Sequence, residues 1–211
     1  MKNHSHRLGS LLPKYWSDRI SPQVNNDHAF QQFLLLWSDA QELNGNESFG
    51  LNLFAGYYFQ KVASYLPGKE KEYLEFSLEY YSAYLKNRNL DKDAKYFVLW
   101  QMAIIQDQLD YDWNDVEIIL LKANKISPTR AEAMMHIIAH YVALKNWEKA
   151  YKLSVRARNK FHGKHPINSV WFPDPELYTW KILNLHAAIC FHIGNVKEAE
   201  NTLKDLKLCM G

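Results

Sequence analysis

Two histidines four residues apart, His136 and His140, have a type and spacing that could do chemistry. At i and i+4 of a helix both imidazoles point to one side, where a divalent metal could be held. Zinc needs at least a third protein ligand, and Ile137 stands where a His-Glu-x-x-His metalloprotease helix carries its Glu. The pair is therefore expected at an interface between helical hairpins. His162 and His165 flank Lys164 and could hold an anion, although a basic loop of this kind is ordinarily solvated. Asp91-Lys92-Asp93 and Asp110-Tyr111-Asp112 have the D-x-D form that can hold a divalent metal on a nucleotide-sugar diphosphate. That chemistry needs the pair on a loop leaving a sheet edge. Both pairs fall instead at helix termini, where acidic residues cap free N–H groups and complement the macrodipole. The sequence contains no G-x-S-x-G elbow, Walker loop, Rossmann glycine pattern or catalytic Cys-His arrangement. No catalytic residue, metal or cofactor is expected.

Composition narrows the partners. Lys plus Arg number 25 against 23 Asp plus Glu, a formal charge of +2, so the total carries no electrostatic footprint for nucleic acid or an anionic membrane. The excess is aromatic: 13 Tyr, 10 Phe and 7 Trp require many large pockets or one apolar groove. Cys190 and Cys209 form neither a disulfide framework nor a zinc spacing and read as reduced thiols of a cytosolic protein. The first residues, MKNHSHRLGSLLPKYW, hold no apolar run of signal-peptide length, and the run Phe33 to Trp37 is too short to span a bilayer. A cytoplasmic chain without membrane insertion is expected.

The elements that must position these residues are helices. In the stretch Arg130 to Ala157, apolar residues at Met134, Ile137, Ile138 and Tyr141 recur at i, i+3, i+4 and i+7, the stripe of an amphipathic helix ending near Lys145. Asn146 breaks that pattern and Trp147 starts another, with Ala150, Leu153, Ser154 and Ala157 as a second stripe of mostly small residues. Small residues let two helix axes approach closely, so the pair closes as an antiparallel hairpin. Without a gap, the stretch follows the pattern W-x2-L-G-x2-Y then A-x3-F. Met134 stands for the Trp, Ile137 and Ile138 for Leu-Gly, Tyr141 for the Tyr, Ala150 for the Ala and Ser154 for the Phe. In this it resembles a tetratricopeptide (TPR) repeat.

The rest follows in the same register. Residues 1–25 form an irregular arm punctuated by Pro13 and Pro22; its apolar cluster, Leu11 to Trp16, either docks loosely on the nearest helix or lies in the protein's own groove. Residues 26–211 form a single helical domain. From Asp27 a capping helix carries Phe30, Phe33, Leu34 and Trp37 and ends at Asn44-Gly45-Asn46. Residues 48–65 place Leu51, Phe54, Ala55 and Tyr58 on a first helix, and Lys69 to Lys86 returns with Ser77, Tyr81 and Tyr84 facing back. Asp91 to Leu109 carries Leu99, Met102, Ala103 and Gln106, and Trp113 to Lys125 follows with Val116, Leu120 and Ala123, stopped by Pro128. Its loop is one residue longer than the pattern. A loop over 159–175 interrupts the array, strapped by Val170, Trp171 and Phe172 or bearing a site. Glu176 to Ile193, with Leu183, His186, Ala187 and Cys190, and Val196 to Leu208, with Ala199, Leu203 and Leu206, then close it. His186 stands where the pattern wants Leu. With no period-two alternation, the expected class is all-α: a right-handed superhelix of about four antiparallel hairpins plus an N-terminal helix.

Likeness to this repeat implies a groove lined by the first helices, and on that basis the wall contains Asn52, Phe59, Phe97, Trp100, Asp107, Gln108, Asn184, Phe191 and His192, with Gly56, Gln60, Ile104, Met135, Ala139, Val142, Ala143 and Ala188 between them. Aromatic anchors and amides suit an extended peptide or a partner helix; the competing reading is that these aromatics are core. A narrower resemblance rests on Tyr96, Gln101 and Ala103, Trp113 with Val116, Pro128-Thr129-Arg130-Ala131-Glu132, Trp147 with Ala150-Tyr151, and above all Trp171-Phe172-Pro173-Asp174-Pro175-Glu176-Leu177-Tyr178-Thr179-Trp180. Over about residues 49–200 the chain resembles the helical-repeat region that follows the catalytic domain in many bacterial family 2 glycosyltransferases. That resemblance implies a non-catalytic binding module that engages a glycosyltransferase or its acceptor. Its alternatives are part of a glycosyltransferase whose catalytic domain is absent from this chain, and a self-associating scaffold such as a homodimer.

Overall fold

A computed structural model describes residues 47–64, 68–87, 90–166 and 174–210. The expected arm, the capping helix from Asp27 and the strap at Val170, Trp171 and Phe172 lie outside the described residues. Within them the protein is all-α and has no strand. Eight α-helices follow one another: α1 Glu47–Ala63, α2 Glu70–Tyr84, α3 Lys92–Gln108, α4 Trp113–Ile126, α5 Glu132–Ala143, α6 Trp147–Phe161, α7 Ile182–His192 and α8 Val196–Met210. A single π-helical turn, Leu177–Lys181, leads into α7. The sequence pattern predicts one uninterrupted helix over Glu176 to Ile193; the extra residue of the π turn is the difference.

Successive helices pair as hairpins, α1 with α2, α3 with α4, α5 with α6 and α7 with α8. Three of the hairpin turns share one chemistry. Asp110, Lys145 and Gly194 all sit in the left-handed region, at φ 57°, 56° and 78°. In each turn the next residue sends its N–H five positions back, at 2.9 Å: Tyr111 to Gln106 O, Asn146 to Tyr141 O, and Asn195 to Cys190 O. This is the Schellman closure, which satisfies carbonyls that a helix end leaves free. Each second helix then opens on a side-chain cap, with Asp112 accepting from Asn114 N–H, Asn146 from Lys149 N–H and Asn195 from Glu198 N–H. The α3–α4 turn holds one residue more than the other two, as the spacing predicts.

Small buried residues set the approach within each hairpin. Ala103 faces Val116's helix, Ile138 that of Ala150, and Ala187 that of Ala199, all at 2% exposure or less. Ser154 and Ala157 are likewise buried, so the stripe read in α6 is its packing face. In the first hairpin the tightest contact is Gly56, whose carbonyl accepts from Ser77 Oγ at 2.6 Å beneath the Tyr81 ring.

Neighbouring hairpins are tied by polar pairs between like helices. Asp107 on α3 meets His136 on α5 at 3.0 Å, Glu117 on α4 meets Lys149 on α6 at 3.4 Å, and Arg158 on α6 meets Asp205 on α8 at 3.3 Å. The two tryptophans that open α4 and α6 each stack on an imidazole of the next hairpin: Trp113 on His140 with centroids 3.3 Å apart, Trp147 on His192 at 4.0 Å. His136 and His140 are thus interface histidines. The core lies on both sides of α3: Tyr96, Leu99 and Ala103 join one buried cluster with α4 to α7, and Phe97, Val98 and Ile105 join another with α1 and α2.

Candidate functional site

The expected wall divides in two. On α7, Asn184, Ala188 and Phe191 fall at i, i+4 and i+7 and are all exposed, Phe191 at 48%; His192 beside them is exposed and stacked on Trp147. On α5, Ala139 and Ala143 form a matching exposed pair. Gln108 is exposed and Asn52 half-buried. Towards the N-terminal hairpins the wall closes. Phe97 is 1% exposed and belongs to the core, a correction to the groove reading, because α3 is covered from two sides and presents no open aromatic face there. Trp100 is half-buried, edge-on to Phe97 at 6.2 Å and packed against both core clusters. Asp107 is taken up by His136. Gly56 is the helix contact under Tyr81. Phe59 stacks on Tyr80 at 5.3 Å and touches Tyr73 and Phe76, in an aromatic cluster between α1 and α2.

Of the two acidic pairs, one residue each caps a helix, while Asp93 pairs with Arg130 at 2.8 Å. Asp91 caps α3 by accepting from Ala94 N–H at 2.9 Å, Asp112 caps α4, and Asp110 holds the left-handed turn position.

A polar knot that the periodicity does not reveal lies between hairpins. Arg130 is fully buried, and its guanidinium donates to both carboxylate oxygens of Glu132 at 2.9 and 3.2 Å and to Asp93 at 2.8 Å, over the face of Tyr96. Glu132, 4% exposed, also accepts from two tyrosines: Tyr96 at 3.0 Å and Tyr178 at 3.1 Å, both on Oε2. Those same hydroxyls accept the N–H groups of Ala133 and Ala131 at 3.0 Å each. The start of α5 has no side-chain cap of its own, so two tyrosines reaching in from α3 and the π turn do that work. Burial and the adjacent Glu132 carboxylate hold both phenols above their ordinary range, so each remains a donor. Burial alone would disfavour the Arg130 charge, but its hydrogen bonds to Glu132 and Asp93 keep it protonated.

A second buried cluster joins α6, α7 and α8. His186 is fully buried, with Nδ1 2.9 Å from Ser154 Oγ and Nε2 3.0 Å from Glu198 Oε1; Cys190 Sγ lies 3.6 Å from the same Nε2. Glu198 Oε2 accepts from Tyr151 and from Asn195 Nδ2, each at 2.6 Å. Burial depresses the His186 imidazole against the opposing pull of Glu198, and pushes the Cys190 thiol up to about 11. Tyr151's hydrogen bond draws Glu198 below the usual carboxylate range. The one trace of this cluster in the sequence is His186 at a leucine position, with Cys190 one turn on.

Comparison with protein-family models, with curated proteins and with solved structures gave no match. Among the described residues, no helix is long and apolar enough to cross a membrane.

Proposed function

We propose that this chain is a non-catalytic binding scaffold of the tetratricopeptide kind, its hairpins stacked as a right-handed superhelix, which takes an extended peptide of a partner protein along its first helices. The observation that carries the reading is that two first helices each leave small, amide or aromatic side chains exposed at helical spacing, Ala139 and Ala143 on α5 and Asn184, Ala188 and Phe191 on α7. Small side chains let a peptide backbone approach, the Asn184 amide offers it a donor and an acceptor, and Phe191 offers an aromatic anchor. The shared closure of three hairpin turns supports a repeated hairpin unit, as a superhelix requires. The buried chemistry supports a scaffold as well: Arg130 reaches Asp93 on α3, and Glu132 accepts from Tyr96 on α3 and Tyr178 on the π turn.

By the resemblance stated above, the partner is a component of a glycosyl-transfer system, an enzyme or its acceptor. The residues that carry that resemblance favour an architectural interpretation, since Tyr96, Arg130, Glu132 and Tyr178 meet in the buried knot and leave the stripe to set the partner.

A photo-crosslinking residue at Ala188 or Ala143, compared with one at the exposed Ile118 of α4, tests the proposal in extracts of the native source. One defined partner captured from the α5–α7 stripe and lost in Phe191→Asp, with an unchanged melting temperature, is the expected result. Capture from Ile118 alone overturns the assigned face, and capture of only further copies of this chain indicates a self-associating scaffold instead. Sugar-nucleotide turnover with Mn²⁺ that disappears in Asp91→Asn or Asp110→Asn would overturn the non-catalytic reading.

A further inference from the structure

We propose that His186, Cys190 and Glu198 form a binding site for one zinc-like divalent cation between α6, α7 and α8. The donor set is mixed nitrogen, sulfur and carboxylate oxygen, which suits a borderline ion. His186 and Cys190 stand at i and i+4 of α7, and Glu198 enters from the first turn of α8, so the three ligand atoms lie within 4.8 Å of one another. A tetrahedral ion with bonds of roughly 2.0–2.3 Å separates its ligands by about 3.3–3.8 Å. The observed 3.0 Å from Nε2 to Oε1 and 3.6 Å from Nε2 to Sγ are within a small side-chain adjustment of that shell.

The hydrogen-bond polarity points the same way. Ser154 Oγ donates to the Tyr151 carbonyl at 2.9 Å and so accepts from His186 Nδ1–H. Nε2 is then a lone pair facing a carboxylate oxygen, an arrangement that calls for a proton or a cation between them. Outer partners already fix the other side of two of the three ligands, Ser154 on the imidazole and Tyr151 with Asn195 on Glu198 Oε2, leaving Oε1 for the ion; this is how ligands are oriented at metal centres.

Charge also balances. Binding replaces the thiol proton, M²⁺ + HS–Cys190 giving M–S–Cys190 and H⁺, so a thiolate, a carboxylate and a dication sum to zero, as a buried site requires. Among the described residues, Arg158 is the one cation paired with Glu198, 3.8 Å from Oε1, and its other nitrogen is held by Asp205 at 3.3 Å. The Glu198 side chain is 27% exposed, which gives water access to the fourth ligand position.

Cobalt(II) titration of the metal-stripped full chain is the test. Expected are saturation at one ion per chain, a thiolate-to-cobalt charge-transfer band in the near ultraviolet, release of about one proton per ion, and displacement by zinc. Cys190→Ser should abolish the band while Cys209→Ser keeps it. Because Cys190 is fully buried, two milder variants accompany it. Glu198→Gln retains the thiol and should weaken binding at least tenfold, and Ser154→Ala should weaken it by about 10–100-fold through the lost imidazole partner. The zinc-induced rise in melting temperature reports the same order. Absence of the band in the wild-type chain overturns the proposal. So does a band that follows Cys209, whose thiol lies 3.8 Å from His162 on the surface. Unchanged affinity in Glu198→Gln removes the carboxylate and refutes the site as drawn.

Discussion

Arg130→Met removes the guanidinium from the knot while keeping an unbranched, apolar chain of similar length. What it leaves behind decides the magnitude. If the Arg130 contacts behaved as surface ion pairs, each would contribute at most about 1 kcal/mol. But the Arg130 side chain is 0% exposed and that of Glu132 3%, so the substitution strands a carboxylate in the interior with only two tyrosine hydroxyls to serve it. Breaking a buried pair in this way costs about 3–5 kcal/mol. Asp93, at 19%, recovers water and adds little. For a domain of this size each kcal/mol moves Tm by about 2–4 °C, so the variant should melt roughly 6–20 °C lower. Thermal and urea unfolding followed by circular dichroism measure the loss. Hydrogen exchange should show faster exchange at the Ala131 and Ala133 amides, whose acceptors are the two tyrosines. In the same background, Glu132→Gln removes the stranded charge and should recover about 0.5–3 kcal/mol, the coupling expected within one network. A single-variant loss below about 1 kcal/mol, or strict additivity of the two substitutions, would refute the reasoning: the knot would then be tolerated rather than required.

Other outcomes follow from single contacts. Gly56→Ala builds a Cβ 2.6 Å from the ring of the fully buried Tyr81 and should destabilise by about 1–3 kcal/mol in urea titrations, whereas an unchanged midpoint would mean that the α1–α2 contact is looser than described. Burial against Trp113 holds the His140 imidazole below its ordinary value of 6.5, so the unfolded chain takes up a proton first as pH falls. Its contribution is therefore full above about pH 6.5 and declines as pH drops through the folded value. His140→Phe, which keeps a ring on Trp113 and deletes a buried Nε2 that has no hydrogen-bond partner among the described residues, should flatten the stability profile between about pH 7 and 5; a profile of unchanged slope contradicts this. In the native, metal-free chain, Cys209 should react with a thiol reagent and Cys190 should not, since Cys190 is buried with its thiol pushed up to about 11; both should react in denaturant, and rapid native labelling of Cys190 would contradict the packing of α7.

Much of the fold was legible because its signals are local. Ala150, Ser154 and Ala157 repeat at helical spacing because α5 and α6 must approach closely, and Pro128 marks a stop because a ring without an N–H cannot continue α4. The one-residue excess in the α3–α4 turn is visible by counting. What failed was whatever depends on the third neighbour. The repeat likeness implies an open inner face on α3 with Phe97 on it; hairpins stacked on both sides of α3 bury that residue. Arg130 and Glu132 look like surface charges because the tyrosines that solvate them stand 36 and 46 residues from Glu132. His186 was visibly out of place in its helix, yet only the fold sets Ser154 and Glu198 against its two nitrogens.

This division bears on what a family likeness can say. Tyr96, Arg130, Glu132 and Tyr178, among the residues on which the glycosyltransferase-repeat resemblance rests, converge on one carboxylate at the start of α5. A buried charge with four satisfied donors tolerates few substitutions, since losing any one strands the others. The exposed stripe from Ala139 to Phe191 is under no comparable constraint from folding. The residues easiest to recognise are therefore those that report architecture, and the proposed binding is to be tested at the side chains that the fold leaves exposed.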